Sequence, residues 1–245
     1  MNNRIRLSLS FLLILVIIGI CGLSWYKANS PRQLTINFSA VVGQQPLVYN
    51  QINYPNPGGP GLFKIRDFQF YISNIRLLSE QGDYIATNSY HLARFDNEKT
   101  IYTIQFNNIP NRSYRAIEFA IGVDEKANGT IISQGDLDPN NRMAWSWDVG
   151  YKFILFEGGL QHGDTLYPLV YHVGFNENYR KLSYPVQGEL QASVDFKVDI
   201  MKLFNGQANL NMAELSSIKF DRNDTRFLAD NYEKMIIAVK QQPAK

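Results

Sequence analysis

The feature that most limits what this chain can fold into is a period-two alternation repeated in short runs. In the segment SVDFKVDI, Val194, Phe196, Val198 and Ile200 fall on one side and Asp195, Lys197 and Asp199 on the other. Successive side chains of an extended strand point to opposite faces, so this pattern describes a strand with one face buried and one in water. Such one-sided burial is the habit of antiparallel sheets. LTINF, FKIRDFQFYI, IYTIQF, RAIEFAIGV, YKFILFEG, LVYHVGF and LQASVDFKVDI share its length and its wealth of β-branched and aromatic residues. Turn residues separate them, as in Asn56-Pro-Gly-Gly-Pro, Gln81-Gly-Asp, Asn128-Gly and Asp138-Pro-Asn-Asn. The pattern predicts an all-β fold: an antiparallel, β-sandwich-like single domain.

Helical spacing is sparse. Phe227, Leu228, Tyr232, Met235, Ile236 and Val239 predict one short C-terminal helix between Asp224 and Val239, with Asp224 as its N-cap. MKLFNG predicts a short helical turn ended by Gly206.

The N-terminus has a different character. Arg4 and Arg6 precede an uncharged run from Leu7 to Trp25. At helical rise that run approaches the bilayer core of about 30 Å. The arginines predict that the N-terminal end stays cytoplasmic and the body is exported. Three fates are open: a signal peptide cleaved near Ser24 or Ser30, lipidation at Cys21, or an uncleaved transmembrane anchor. The expected division is residues 1–30 as transmembrane or signal segment plus tether, and 31–245 as the β domain.

Composition narrows the function classes. Hydrophobic residues make up 45% and charged residues 19%, enough apolar material for a core. The net charge of +2 is scattered, which argues against nucleic acid as a partner. Cys21 is the single cysteine, so the body has neither a disulfide nor a thiolate metal site. No nucleophile elbow, zincin helix, phosphate loop or dinucleotide-binding glycine pattern occurs, and no enzymatic activity is predicted.

What chemistry remains centres on a few side chains. Trp145 and Trp147 stand two apart in Met143-Ala-Trp-Ser-Trp, on one side of a strand. They form either a core or rim cluster or an aromatic wall beside a binding site. Of the three histidines, His172 lies within a strand, His91 begins one, and His162 sits in a glycine-rich turn. None are at ligand spacing, so any metal site must be assembled across strands. Asp136, Asp138 and Asn140 are spaced as in a calcium loop. The central glycine is missing and the twelfth position is Trp147, so a turn closed by side-chain hydrogen bonds is expected instead. Glu157 ends a strand, where it either orients a ligand or caps an edge.

Several ordered pieces are similar to the MbnP-like family: FKIRDFQFYISNIRLLSEQGD, FAIGVDEKAN, GDLDPNNRMAWSWDVGYKFILFEG, YHVGF, VDIMKLFNG and LADNYEKMI. The Trp-Ser-Trp segment is the most specific. Ala144 stands where the family commonly has an aromatic residue, and Arg142 where glycine is usual. The resemblance implies an exported, periplasmic or envelope protein associated with copper. In some members a dihaem peroxidase-like partner oxidises a tryptophan to kynurenine, which helps a histidine bind the metal. Carried over, His172 is the first ligand and Trp145 or Trp147 the oxidised residue, with Met143 or His91 as further ligands. A metal-free binding or structural module of the cell envelope, built on the same fold, is the alternative.

Overall fold

The computed structural model describes residues 30–130, 134–146 and 149–239, together with residues 16, 17, 19, 20 and 22 of the N-terminal segment. Each run of alternation becomes a strand. In chain order these are β1 (Arg32–Val42), β2 (Gln45–Pro46), β3 (Tyr54–Pro55), β4 (Leu62–Leu78), β5 (Tyr84–Ile85), β6 (Tyr90–Arg94), β7 (Ile101–Ile109) and β8 (Ala116–Ile121). There follow β9 (Ala144–Ser146), β10 (Gly150–His162), β11 (Thr165–Gly174), β12 (Arg180–Pro185), β13 (Ser193–Asp199), β14 (Ser217–Ile218) and β15 (Ile236–Ala238). The helices are short: α1 (Glu125–Asn128), α2 (Ile200–Phe204), α3 (Arg222–Ala229) and α4 (Tyr232–Met235).

Two sheets form. The smaller runs β15-β13-β1-β2, with β7 also paired to β1. The larger runs β12-β8-β4-β10-β11-β14, and β3, β5 and β6 also pair with the 17-residue β4. Their inner faces meet in one core, where Phe38 and Phe196 of the smaller sheet pack against Phe119 of the larger at 5.5 and 5.2 Å between ring centroids. Edge-on aromatic contacts of this kind add about 0.5–1.5 kcal/mol each beyond the area they bury.

Two expectations need correction. β13 has the alternation expected of an antiparallel strand, yet it runs parallel to β1, from Thr35↔Ser193 to Val41↔Asp199, and antiparallel only to β15. Alternation reports which side is buried and not the direction of the neighbour. The C-terminal helix also differs from its predicted bounds. Its N-cap is Asp221, whose carboxylate accepts from the Asn223 and Asp224 amides. It breaks at Asp230 and Asn231 and gives way to β15 after α4. Asn231 is fully buried, donating to the Leu203 carbonyl and accepting from the Gln207 amide, so tertiary bonds override helical continuity.

The predicted transmembrane or signal segment, Leu7 to Trp25, falls mostly outside the described residues. No described helix is long and apolar enough to cross a membrane.

The larger sheet has a second, outer face. Tyr71, Tyr151, Phe153 and Leu155 project there and meet Val123, Ala127, Leu137 and Met143 in a smaller core. Two buried tyrosines hold the covering loop down. Tyr71 Oη donates to the Asp136 carbonyl at 2.8 Å and Tyr151 Oη to the Leu137 carbonyl at 2.6 Å. The loop itself is closed by its own acids: Asp136 accepts from the Leu92 amide and Asp138 from the Asn140 amide, as a hydrogen-bonded turn requires.

Candidate metal centre

The outer face of β10 and β11, beside the covering loop, carries the candidate site. On β11, Leu169, Tyr171 and Val173 belong to the main core, so His172 and Gly174 point outward. His172 stands opposite Leu155 of the smaller core. It is 8% exposed, and its Nε2 lies 3.1 Å from Glu157 Oε1.

Glu157 is anchored twice more. Arg66 donates to its other oxygen at 2.7 Å, and Arg142 approaches it at 3.6 Å. Arg142 also pairs with Asp67 at 3.0 Å, directly across β4 from Glu157. A register shift between Glu157 and Gly158 makes room for Arg66 beside Asp67. Burial alone would raise the Glu157 pKa, but the hydrogen bonds from Arg66 and His172 outweigh it and leave it lowered. An ionised carboxylate only accepts, so Nε2 of His172 carries the proton and Nδ1 presents the lone pair. Burial pushes the His172 pKa down to about 4, and the Lys152 ammonium pushes the same way against the pull of Glu157. The imidazole is therefore neutral near pH 7, the state in which it binds metals.

Lys152 reaches this face through a bulge. The ladder shifts between Lys152 and Ile154, where Lys152 pairs with Gly174. Its ammonium donates to the Arg142 carbonyl at 2.7 Å, and burial lowers its pKa. Arg142 adopts a left-handed backbone at φ 67°, a conformation natural to glycine.

Trp145 lies over Gly174. A β-carbon built on Gly174 would stand 2.5 Å from Trp145 Cζ3, so only glycine admits the indole there. Gly174 and His172 are two apart on one strand face, about 7 Å along the strand. The indole is flanked by Phe175 at 5.4 Å and Phe220 at 5.2 Å between centroids, and Arg222 covers Phe175 at 4.3 Å.

The structure thus places Trp145 over Gly174 on the same face as His172, and adds Glu157 bonded to the imidazole. Trp147 lies outside the described residues. Met143 is fully buried in the smaller core. His91 does not join the group. It stands opposite Ile72 of the main core, so it shares the inner face, where its ring meets Phe106 edge-on at 6.3 Å and Ser89 bonds its Nε2. His162 is exposed at the end of β10. Among the described residues no group of three or more His, Cys, Asp or Glu side chains is placed to hold a metal. The donor set present fits a single imidazole ligand, His172 through Nδ1, oriented by Glu157.

The sequence pattern pointed to Arg142 but gave no sign of Lys152, Arg66 and Lys219 as neighbours of the site. The two bulges along β10 place Lys152 and Arg66 there, and the end of β14 places Lys219.

A family model described as MbnP matches residues 31–220. The chain belongs to the MbnP family. Among solved structures it is similar to MbnP from Methylosinus trichosporium, with a TM-score of 0.51 and 14% identity, covering 79% of this chain and 82% of that one. At that identity the likeness to MbnP speaks for the fold alone. No curated protein sequence matches the chain.

Proposed function

We propose that this MbnP-family protein is a copper-associated protein of the bacterial periplasm or cell envelope, exported by its N-terminal segment. Under this reading His172 is the protein's imidazole ligand, through Nδ1, and Glu157 fixes its tautomer and direction. Trp145 is the aromatic partner and the residue that a dihaem peroxidase-like protein would oxidise to kynurenine. Copper would supply a redox-active centre to which imidazole is a well-matched donor. The protein itself binds, orients and shields. The observation that carries the reading is the shared outer face of His172 and Trp145, with Gly174 giving the indole its place.

The test is a Cu(I) titration against a competing chelator. The reading expects one tightly held copper in the protein from its own host and its loss in His172→Ala. Equal copper binding by both proteins would overturn it.

A second reading is a metal-free envelope module. It is favoured by the burial of Met143 and the placement of His91 on the other face, which leave His172 the sole histidine on the site's face among the described residues.

A further inference from the structure

The surroundings of His172 carry more positive charge than the histidine and its carboxylate partner require. β14 runs parallel to β11 with Val170↔Ser217 and Tyr171↔Ile218 in register. Tyr171 and Ile218 both face the main core. His172 follows Tyr171 on the outer face, and Lys219 follows Ile218 directly where β14 ends, which brings Lys219 to the edge of the His172 face. Lys152 reaches the same face from the other side, through the bulge opposite Gly174. Both ammoniums act on the His172 imidazole.

Neither lysine has a carboxylate partner among the described residues. Lys152 bonds a backbone carbonyl and Lys219 is exposed. The two acids on this patch are already engaged: Glu157 by Arg66, Arg142 and His172, Asp67 by Arg142 and Gln69. Lys219 is followed by Phe220, which is 59% exposed and backed by the Trp145 indole. Two cations without a carboxylate partner among the described residues, the half-buried Lys152 and the exposed Lys219, thus stand near the exposed Phe220, whose ring is tilted 41° to the half-buried Trp145 indole.

We infer that the His172 face binds a small organic anion with a flat apolar group, its carboxylate between Lys152 and Lys219 and its flat part on Phe220 and Trp145. A carboxylate there would recover charge pairing that the protein does not supply, and the two rings would recover apolar contact. This anion site lies at the proposed copper site but does not need the metal to form.

The test uses the metal-free full chain, stripped with chelator, and isothermal titration calorimetry. The probe is 2-naphthoate, with 2-naphthamide as its uncharged counterpart. Naphthoate is expected to bind and naphthamide to bind at least several-fold more weakly. Lys219→Gln, at an exposed position, should weaken naphthoate about three- to five-fold. Phe220→Ser should weaken both probes, and Lys181→Gln, on another part of the larger sheet, should change neither. Equal binding of the two probes, no effect of Lys219→Gln, or no naphthoate binding would each overturn the inference. Cu(I) titration of Lys219→Gln separates the two ideas. Copper retained with naphthoate weakened supports the anion site, whereas naphthoate binding in a chain that takes no copper removes the copper reading and leaves the anion site standing.

Discussion

The indole of Trp145 rests on the α-carbon of Gly174, so close that a methyl group there would reach within 2.5 Å of Cζ3. This contact sets Trp145 on the face of His172. Gly174→Ala is expected to push the indole off β11 at a cost of about 1–3 kcal/mol, the usual range for overpacking. Urea unfolding and tryptophan fluorescence check it. An unchanged emission spectrum and midpoint would contradict the contact.

Glu157 is the orienting partner of the imidazole. Glu157→Gln keeps the shape but loses the charge that holds Nε2–H and the two arginines. Copper affinity is expected to drop about 10- to 100-fold, as for other carboxylates behind a ligating histidine. Chelator competition with wild type and variant reads this directly.

The depressed His172 pKa makes stability depend on pH with a definite sign. The folded group titrates at about 4 and an unfolded histidine at 6.5. Between these values the unfolded chain binds more protons, so stability falls as pH is lowered from 6.5 towards 4 and loses nothing further from this group below that. The full effect is on the order of 3 kcal/mol. Burial lowers the His91 pKa as well, and its contribution has the same sign. His172→Gln should flatten part of the slope in urea melts taken across this range. A wild-type curve that is level from pH 6.5 to 4 would rule the account out.

Phe119 joins the two sheets through Phe38 and Phe196 and stacks on Tyr184 of its own sheet. Phe119→Ala should cost about 3–5 kcal/mol. A change under about 1 kcal/mol, read by denaturant melts, would mean that the sheets do not depend on this contact.

Much of the fold was legible because strand alternation is a local property. The runs around Phe38, Phe70, Phe119, Phe156 and Phe196 all became strands with those residues inside. Partner direction was not legible, since the faces of β13 look the same beside a parallel or an antiparallel neighbour. The break at Asn231 was hidden because its cause lies in bonds to Leu203 and Gln207, far away in sequence. At the site, the motif drew attention to Trp145 and His172. Most of the charged surroundings were invisible, because Lys152 and Arg66 arrive through bulges and Lys219 just past the end of a two-residue strand.

The most direct test of the central claim is native mass spectrometry of the protein isolated from its own host, with His172→Ala beside it and peptide mapping of both tryptophans. The account predicts one copper in wild type, none in the variant, and any kynurenine at Trp145. A metal-free, unmodified wild type from copper-replete cells, or copper bound equally by the variant, would contradict it.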